Sequence, residues 1–294
     1  FKKYDLLMIQ REAMPFGPGV FEWIHQIVGR LPIVLDLDDA TYVPYESPTY
    51  GKLGSYLKFF GKTNRLIDRA DLVVCGNRFI AKHVESRGSR TLVIPTIVDT
   101  DVFTPAPKAN EIPVIGWIGT HSTFPFLERI FPILRKLASK YPFRLKIVGS
   151  GRRSVKIDDV VVETHEWKLE REVADFQSLD VGLYPISVSP SANDDWLAGK
   201  SGFKAVQYMS VGVASVISPV GVCGEIGVAG TTHLNARTDE DWYNNLEKLL
   251  SEPESRQRIG KSARTYALEH FSLEKHVEML ASALRSVRYK HFDL

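Results

Sequence analysis

The chain has 294 residues, 44% hydrophobic and 24% charged, and its 37 Lys and Arg against 35 Asp and Glu give a formal net charge of +2. At roughly 100–200 residues per domain, that length suggests two domains with ordinary cores. The near balance of scattered charges excludes a protein whose main task is to neutralise many phosphates along a nucleic acid, so any anion it binds is small and locally held.

Short apolar runs bounded by turn signals alternate with amphipathic stretches, the pattern of βαβ units and a parallel sheet. The first part predicts strands at Leu6–Ile9, Ile33–Leu37, Leu72–Cys75 and Thr91–Ile94. Between them, Val20–Val28 and Phe79–Glu85 have helical spacing, and 50–70 reads as one longer helix with Leu53, Leu57, Phe60 and Leu66 on one side. Residues 104–113 hold three prolines and no apolar periodicity, which marks a linker.

A second series follows: strand Val114–Ile118, helix Phe124–Lys140, strands Arg144–Val148 and Val160–Glu163, helix Leu169–Leu179, strand Val181–Tyr184, helix Phe203–Val211 and strand Ala214–Ile217. Pro132 inside its first helix should kink it. Helices at Trp242–Leu250, Glu254–Phe271 and Leu273–Tyr289 close the chain, the last with Ser272 as N-cap, an apolar stripe of Leu273, Val277, Leu280, Leu284 and Val287, and Arg285, Arg288 and Lys290 at its end. The domains are therefore expected at 1–108 and 109–271, with 272–294 a terminal helix that crosses back to the first. Two βαβ-rich halves imply a cleft, because open α/β sheets bind ligands beyond the carboxyl ends of their strands.

Cys75 and Cys223 are far apart and lack CxxC or Cys/His spacing, so they read as reduced thiols in apolar strands or turns. Neither a bilayer-spanning run of about 18 apolar residues nor a charged, then apolar, then small-residue leader is readable. The first residue is Phe1 rather than Met, and the chain enters a strand almost at once, which suggests a natural start further upstream.

Two segments have the residue types for anion chemistry. In Gly116–Ser122, glycines between a strand and a helix let backbone approach a ligand, and amides at a helix start attract phosphate; steric demand at the turn explains the same glycines, and His121 is either a ligand contact or a loop residue. In Gly199–Val213, Lys200 or Lys204 could meet a diphosphate at a helix start, and Gln207 could hydrogen-bond vicinal hydroxyls such as those of ribose. The alternative makes both lysines solvated and Gln207 a surface residue.

Four segments decide between these alternatives by resemblance. Val93–Pro105, Gly116–Thr120, Phe203–Gly221 and the region from Ala263 through His270–Lys275 resemble, in order, the signatures of retaining glycosyltransferases of the GT-B fold, family 4. The resemblance implies two doubly wound, Rossmann-like α/β domains facing a cleft. It also implies a nucleoside-diphosphate-sugar donor of UDP or GDP type on the C-terminal domain, a glycan, lipid-linked or small-molecule acceptor on the N-terminal one, and no required metal.

Carried over by position, it places Gly119 and Thr120 in the loop facing the diphosphate, Lys200 and Lys204 near the phosphates with the Gly202 and Phe203 amides, and Trp167 beside the nucleobase. It also implies a glycine-containing first strand and helix ahead of Phe1, so the N-terminal domain is expected to be incomplete at its start. A cytoplasmic protein is implied, with peripheral membrane contact through Lys52, Lys58, Lys62 and Arg65 as an option against an ordinary solvated helix face. Many members carry two glutamates separated by seven residues; here Gly199 and Gln207 occupy those positions, with Lys200 or the pair Asp194 and Asp195 as substitutes.

Asp36, Asp38 and Asp39 end a buried strand. In a GT-B enzyme Asp38 or Asp39 would bind acceptor hydroxyls, Asp39 being the candidate catalytic residue; a turn-capping role competes with this. The same run resembles the nucleophile strand of haloacid dehalogenase-type phosphohydrolases, with Asp36 attacking phosphorus, Asp38 donating a proton and Mg²⁺ bound by both, although Ala40 departs from that pattern. It also resembles the DxD metal motif of the other glycosyltransferase fold, without that fold's remaining pattern. A non-catalytic nucleotide- or sugar-binding module is the remaining alternative. Donor base and sugar are set by the loops Gly149–Lys156, Glu166–Trp167 and Ser189–Ala198.

Overall fold

The computed structural model describes residues 4–21, 24, 31–44, 51–107, 110–186 and 194–292. They cluster into two compact units: the described residues of Phe1–Thr96, Val188–Ser201 and Glu274–Leu294 form one, and those of Ile97–Ser187 and Gly202–Leu273 the other.

The first unit carries a parallel sheet of four strands in the order β1 (Leu7–Gln10), β2 (Ile33–Leu37), β3 (Leu72–Cys75), β4 (Thr91–Val93). The register sets Leu35 beside Val73 and Val74 beside Leu92. β3 is buried along its whole length, as a strand covered on both faces requires. The stretch expected as one helix over 50–70 is two, α1 (Gly51–Leu57) and α2 (Gly61–Ile67), broken where Phe59 takes φ +51°. Leu66 is buried, while Leu53 and Leu57 are exposed, so the apolar side expected of one helix does not form. The basic face expected there is also largely engaged: Lys58 and Lys62 pair with Glu12, and Arg65 donates to the Pro18 carbonyl. Helix α3 (Arg78–Ser86) starts at Asn77, whose side chain accepts the Ile80 amide. Most of the expected helix at Val20–Val28 lies outside the described residues.

The second unit carries a parallel sheet of six strands in the order Leu234–Asn235, Ala214–Ile217, Val181–Tyr184, Val114–Ile118, Arg144–Val148, Val161–His165. Its elements run β5 (Val114–Ile118), α4 (Phe124–Glu128), α5 (Phe131–Ala138), β6 (Arg144–Val148), β7 (Val161–His165), a 3₁₀ turn at Leu169–Arg171, α6 (Glu172–Gln177) and β8 (Val181–Tyr184). After α7 (Asp194–Ala198), which belongs to the first unit, come α8 (Phe203–Ser210), β9 (Ala214–Ile217), β10 (Leu234–Asn235), α9 (Asp239–Ser251) and α10 (Pro253–His270). The core packs Trp117, Leu134, Ile147, Leu183, Val216 and Leu246. Pro132 starts α5 instead of kinking a long helix, because a missing N–H costs nothing in a first turn. Thr238 caps α9 with its hydroxyl while Asp241 returns the bond, a reciprocal box absent from the sequence expectation.

The units divide after Thr96, ahead of the expected boundary at 108. Arg264 on α10 explains why the segment beyond Thr96 belongs with the second unit: its guanidinium donates to the Thr100 and Phe103 carbonyls and to Ser210 at the end of α8, while Gln177 donates to Thr104. Helix α11 (Leu273–Phe292) lays Leu280, Ala283, Leu284 and Val287 on Val34, Leu72 and Val74 of the first unit's sheet; Leu273 and Val277, expected in the same stripe, are exposed. Cys75 and Cys223 are buried free thiols, both pushed up to about 12 by burial.

Candidate functional site

At the carboxyl ends of β5 and β6, Gly119 and Gly149 make a close backbone approach. Each extends its strand ladder, Gly119 N–H donating to Val148 and Gly149 N–H to His165. Gly149 takes φ +80°, and a Cβ there would strike the Gly119 carbonyl, so the position excludes side chains. The Thr120 amide donates to Thr123 Oγ1 at 3.1 Å, and its hydroxyl bonds Ser122. The amides of Gly119 and Thr120, expected to face a diphosphate, are thus spent within the protein; what this loop presents is the exposed Thr120 hydroxyl edge.

The amides at the start of α8 are different. Gly202 takes φ +67°, where a Cβ would press on Ile226 and Val222, and the left-handed turn opens the helix without a side-chain cap. Gly202 accepts from Ala205, but among the described residues the Gly202, Phe203 and Lys204 amides have no acceptor. From the same first turn, Lys204 Nζ donates at 2.9 Å to Oε1 of Gln207, a turn further on, and lies 3.5 Å from Glu172 Oε1. Gln207 Nε2 donates to the same Glu172 oxygen at 3.1 Å, and the Trp167 indole N–H reaches it at 3.3 Å. Burial lowers the Lys204 pKa, with Glu172 opposing that shift.

Gln207 is 0% exposed with both ends of its amide engaged, so it does not present hydroxyl-binding atoms to solvent as the sequence suggested. Glu172 was missed. Its only signal was a carboxylate at a helix start five residues after Trp167, a place equally favoured by the helix dipole. Trp167, two residues past β7, is 46% exposed. Trp167, Lys204, Gly202, Phe203 and Gln207 are therefore brought together in the second unit.

Asp39 and Lys200 belong to the first unit. Arg11, itself at φ +59°, donates to both oxygens of Asp38 at 2.5 Å and to Asp39 at 3.2 Å. Burial pushes Asp38 up, but the Arg11 guanidinium outweighs it and leaves the carboxyl below its ordinary value; Asp36 is raised by burial and by Asp38. With Asp38 held by Arg11, the proton-donor role required by the phosphohydrolase alternative is occupied by an ion pair. Lys200 holds its ammonium 3.7 Å above the Trp196 ring, and burial lowers its pKa against the pull of Asp39. Gly199 is a packing glycine: a Cβ would strike Ala40, and its carbonyl accepts from Asn77. The glutamate that the resemblance calls for at this position would not fit. Asp195 is exposed, and the side chain of Asp194 and the loop 189–193 lie outside the described residues.

The chain has the GT-B fold. It superposes on sucrose-phosphate synthase from Thermosynechococcus elongatus with a TM-score of 0.71 at 13% identity, covering 97% of this chain and 74% of that one. Anabaena HepE, solved in complex with UDP-glucose, gives 0.67 at 16% identity over 91% and 76%. Among curated proteins, a D-inositol 3-phosphate glycosyltransferase from Gordonia bronchialis is 24% identical over 254 residues, 76% of this chain. The chain spans about half (54%) of that relative's length. No protein-family profile matches the chain. Among the described residues, no helix is long and apolar enough to cross a membrane.

Proposed function

We propose that the second unit binds a nucleoside-diphosphate sugar and that the protein is a retaining, metal-independent glycosyltransferase of family 4 that passes the sugar to a hydroxyl of a glycan, lipid-linked glycan or small metabolite. The observation that carries this is the start of α8, where three unspent amides meet the half-buried Lys204 ammonium. HepE, with the same fold, is solved with UDP-glucose, which supports a donor of this class.

Lys204 leaves Gln207 for a phosphate oxygen, and with the Gly202 and Phe203 amides it stabilises the charge that builds on the departing diphosphate. In a front-face transfer, the bond from the anomeric carbon to the phosphate oxygen breaks as the bond to the acceptor oxygen forms on the same face. The acceptor's proton passes to that phosphate oxygen, so no protein carboxylate is consumed. The Trp167 ring borders the base, and the Thr120 hydroxyl and Gly119 line the same strand ends. In the first unit, Asp39 accepts from an acceptor hydroxyl, and Lys200, whose charged neighbours are Asp38, Asp39 and Arg11, serves the acceptor side too.

Calorimetry with UDP and GDP tests the assignment. One of them should bind, and Lys204→Ala should weaken binding about 10- to 100-fold, the worth of one or two charge-assisted hydrogen bonds. Binding of neither nucleotide, or an unchanged affinity in Lys204→Ala, refutes it.

A further inference from the structure

The second unit sets three different groups in a hydrogen-bonded row. The Trp167 indole reaches Glu172 Oε1 at 3.3 Å, and the same oxygen lies 3.5 Å from the Nζ of Lys204, whose own amide is the last of the three unspent ones at the start of α8. An aromatic plane, a carboxylate and a cation with helix-start amides occur in the order of the parts of a nucleoside diphosphate: base, pentose, diphosphate. The middle position is the informative one. A bare carboxylate repels phosphate and attracts hydroxyl donors, so the part of such a ligand that suits Glu172 is its diol.

Glu172 also has the valence to act. Oε1 takes Trp167, Gln207 and Lys204, whereas Oε2 accepts no hydrogen bond among the described residues, and the side chain is 15% exposed. Gln207, the residue that sequence position favours for this task, is sealed at 0% exposure with its amide nitrogen already given to Glu172. Its geometry is that of a brace. Its amide nitrogen and the Trp167 indole both hold Glu172 Oε1, which leaves Oε2 as the oriented acceptor.

We propose that Glu172 is the specificity-determining residue for the ribose of the donor nucleotide, accepting one of its vicinal hydroxyls through Oε2, and that Gln207 is a positioning residue acting through Glu172. The inference rests on the nucleotide-binding reading of the second unit. It assigns to a carboxylate on α6 the hydroxyl recognition that would otherwise be sought on α8. Lys204, on leaving Oε1 for phosphate, leaves that oxygen with its two neutral donors and the carboxylate still in place.

The experiment is calorimetry of the full chain with UDP or GDP, whichever binds, against the 2′-deoxy and 3′-deoxy forms of the same nucleotide. The wild type should prefer the ribonucleotide over one deoxy form by about 10-fold, the loss expected for one hydrogen bond to a charged group. Glu172→Ala should bring that ratio to about one by weakening the ribonucleotide and not the deoxy form, and Glu172→Gln, which keeps an oxygen and the volume, should restore part of it. Gln207→Leu should lower the ratio without abolishing nucleotide binding.

A wild type that binds all three forms equally overturns the proposal without any variant. So does a ratio unchanged in both Glu172 variants, or equal weakening of every form, which is what loss of a merely structural group produces. Failure of the wild type to bind UDP and GDP at all removes the nucleotide reading itself, and is distinguishable from nucleotide binding that is blind to the hydroxyls.

Discussion

Lys200 and Lys204 are four residues apart, yet they belong to different units and are accommodated by different physics. Both are largely withdrawn from water, and burial lowers both pKa values. Lys204 has conventional partners, an amide oxygen and a carboxylate within 3.5 Å. Lys200 has an aromatic face at 3.7 Å, and its carboxylate neighbours Asp38 and Asp39 act on it only through space. The contrast teaches that a cation's environment, more than its place in a sequence motif, sets how its donors are used: Lys204 spends them on Gln207 and Glu172, whereas Lys200 rests on an aromatic face.

The largest effect is expected at Gly199, which precedes Lys200 and packs on Ala40 in the first unit. In Gly199→Glu the new Cβ strikes Ala40 and the charge enters a buried position, so the first unit should lose about 3 kcal/mol or more in urea unfolding. Gain of transfer activity in that variant would contradict the packing reading.

A smaller effect of opposite sign in the two regions is expected from removing each cation. Lys204→Met strands Gln207 Oε1 and leaves the Glu172 carboxylate without its cation, and should cost about 1–3 kcal/mol. Lys200→Met removes an ammonium whose burial opposes folding and should raise the midpoint of thermal unfolding at pH 7; equal destabilisation by both would erase the distinction.

The smallest effects separate Asp36 and Asp38 at the carboxyl end of β2. Asp38, depressed by Arg11, adds stability that is present above the unfolded carboxyl range near pH 4 and is lost as pH falls. Asp36, raised by burial, opposes folding when ionised, and that penalty is relieved as pH falls. Asp38→Asn should therefore flatten the acid-side loss of thermal stability, and Asp36→Asn should raise stability at pH 7. The same sign of change at neutral pH for both variants would refute the assignment.

Strand positions were legible because buried parallel strands are continuous apolar runs; Ile33–Leu37, Leu72–Cys75 and Val114–Ile118 are where the pattern puts them. Helix breaks were less so. Pro132 was read by its power to disrupt and not by its suitability for a first turn, and nothing local announces the left-handed backbone at Phe59. At the candidate site, a helix starting at Phe203 with Lys204 in its first turn was readable from local pattern alone. The relation of Glu172 to Gln207 was not, since 35 residues separate them and only tertiary packing decides which faces solvent. The same limit applies to Gly199, where sequence shows a missing carboxylate and only the neighbouring Ala40 shows why.

The division of the chain bears on its synthesis. The first unit takes its last helix from residues beyond Glu274, whereas the second is complete by Leu273. On a ribosome, the second unit therefore has all its described parts before the first unit does, reversing the usual order in which the amino-terminal unit finishes folding first. Until α11 emerges, Val34, Leu72 and Val74 lack the side chains of Leu280, Leu284 and Val287 that cover them. The early sheet must wait, with apolar surface bare, for the whole of its partner to be made.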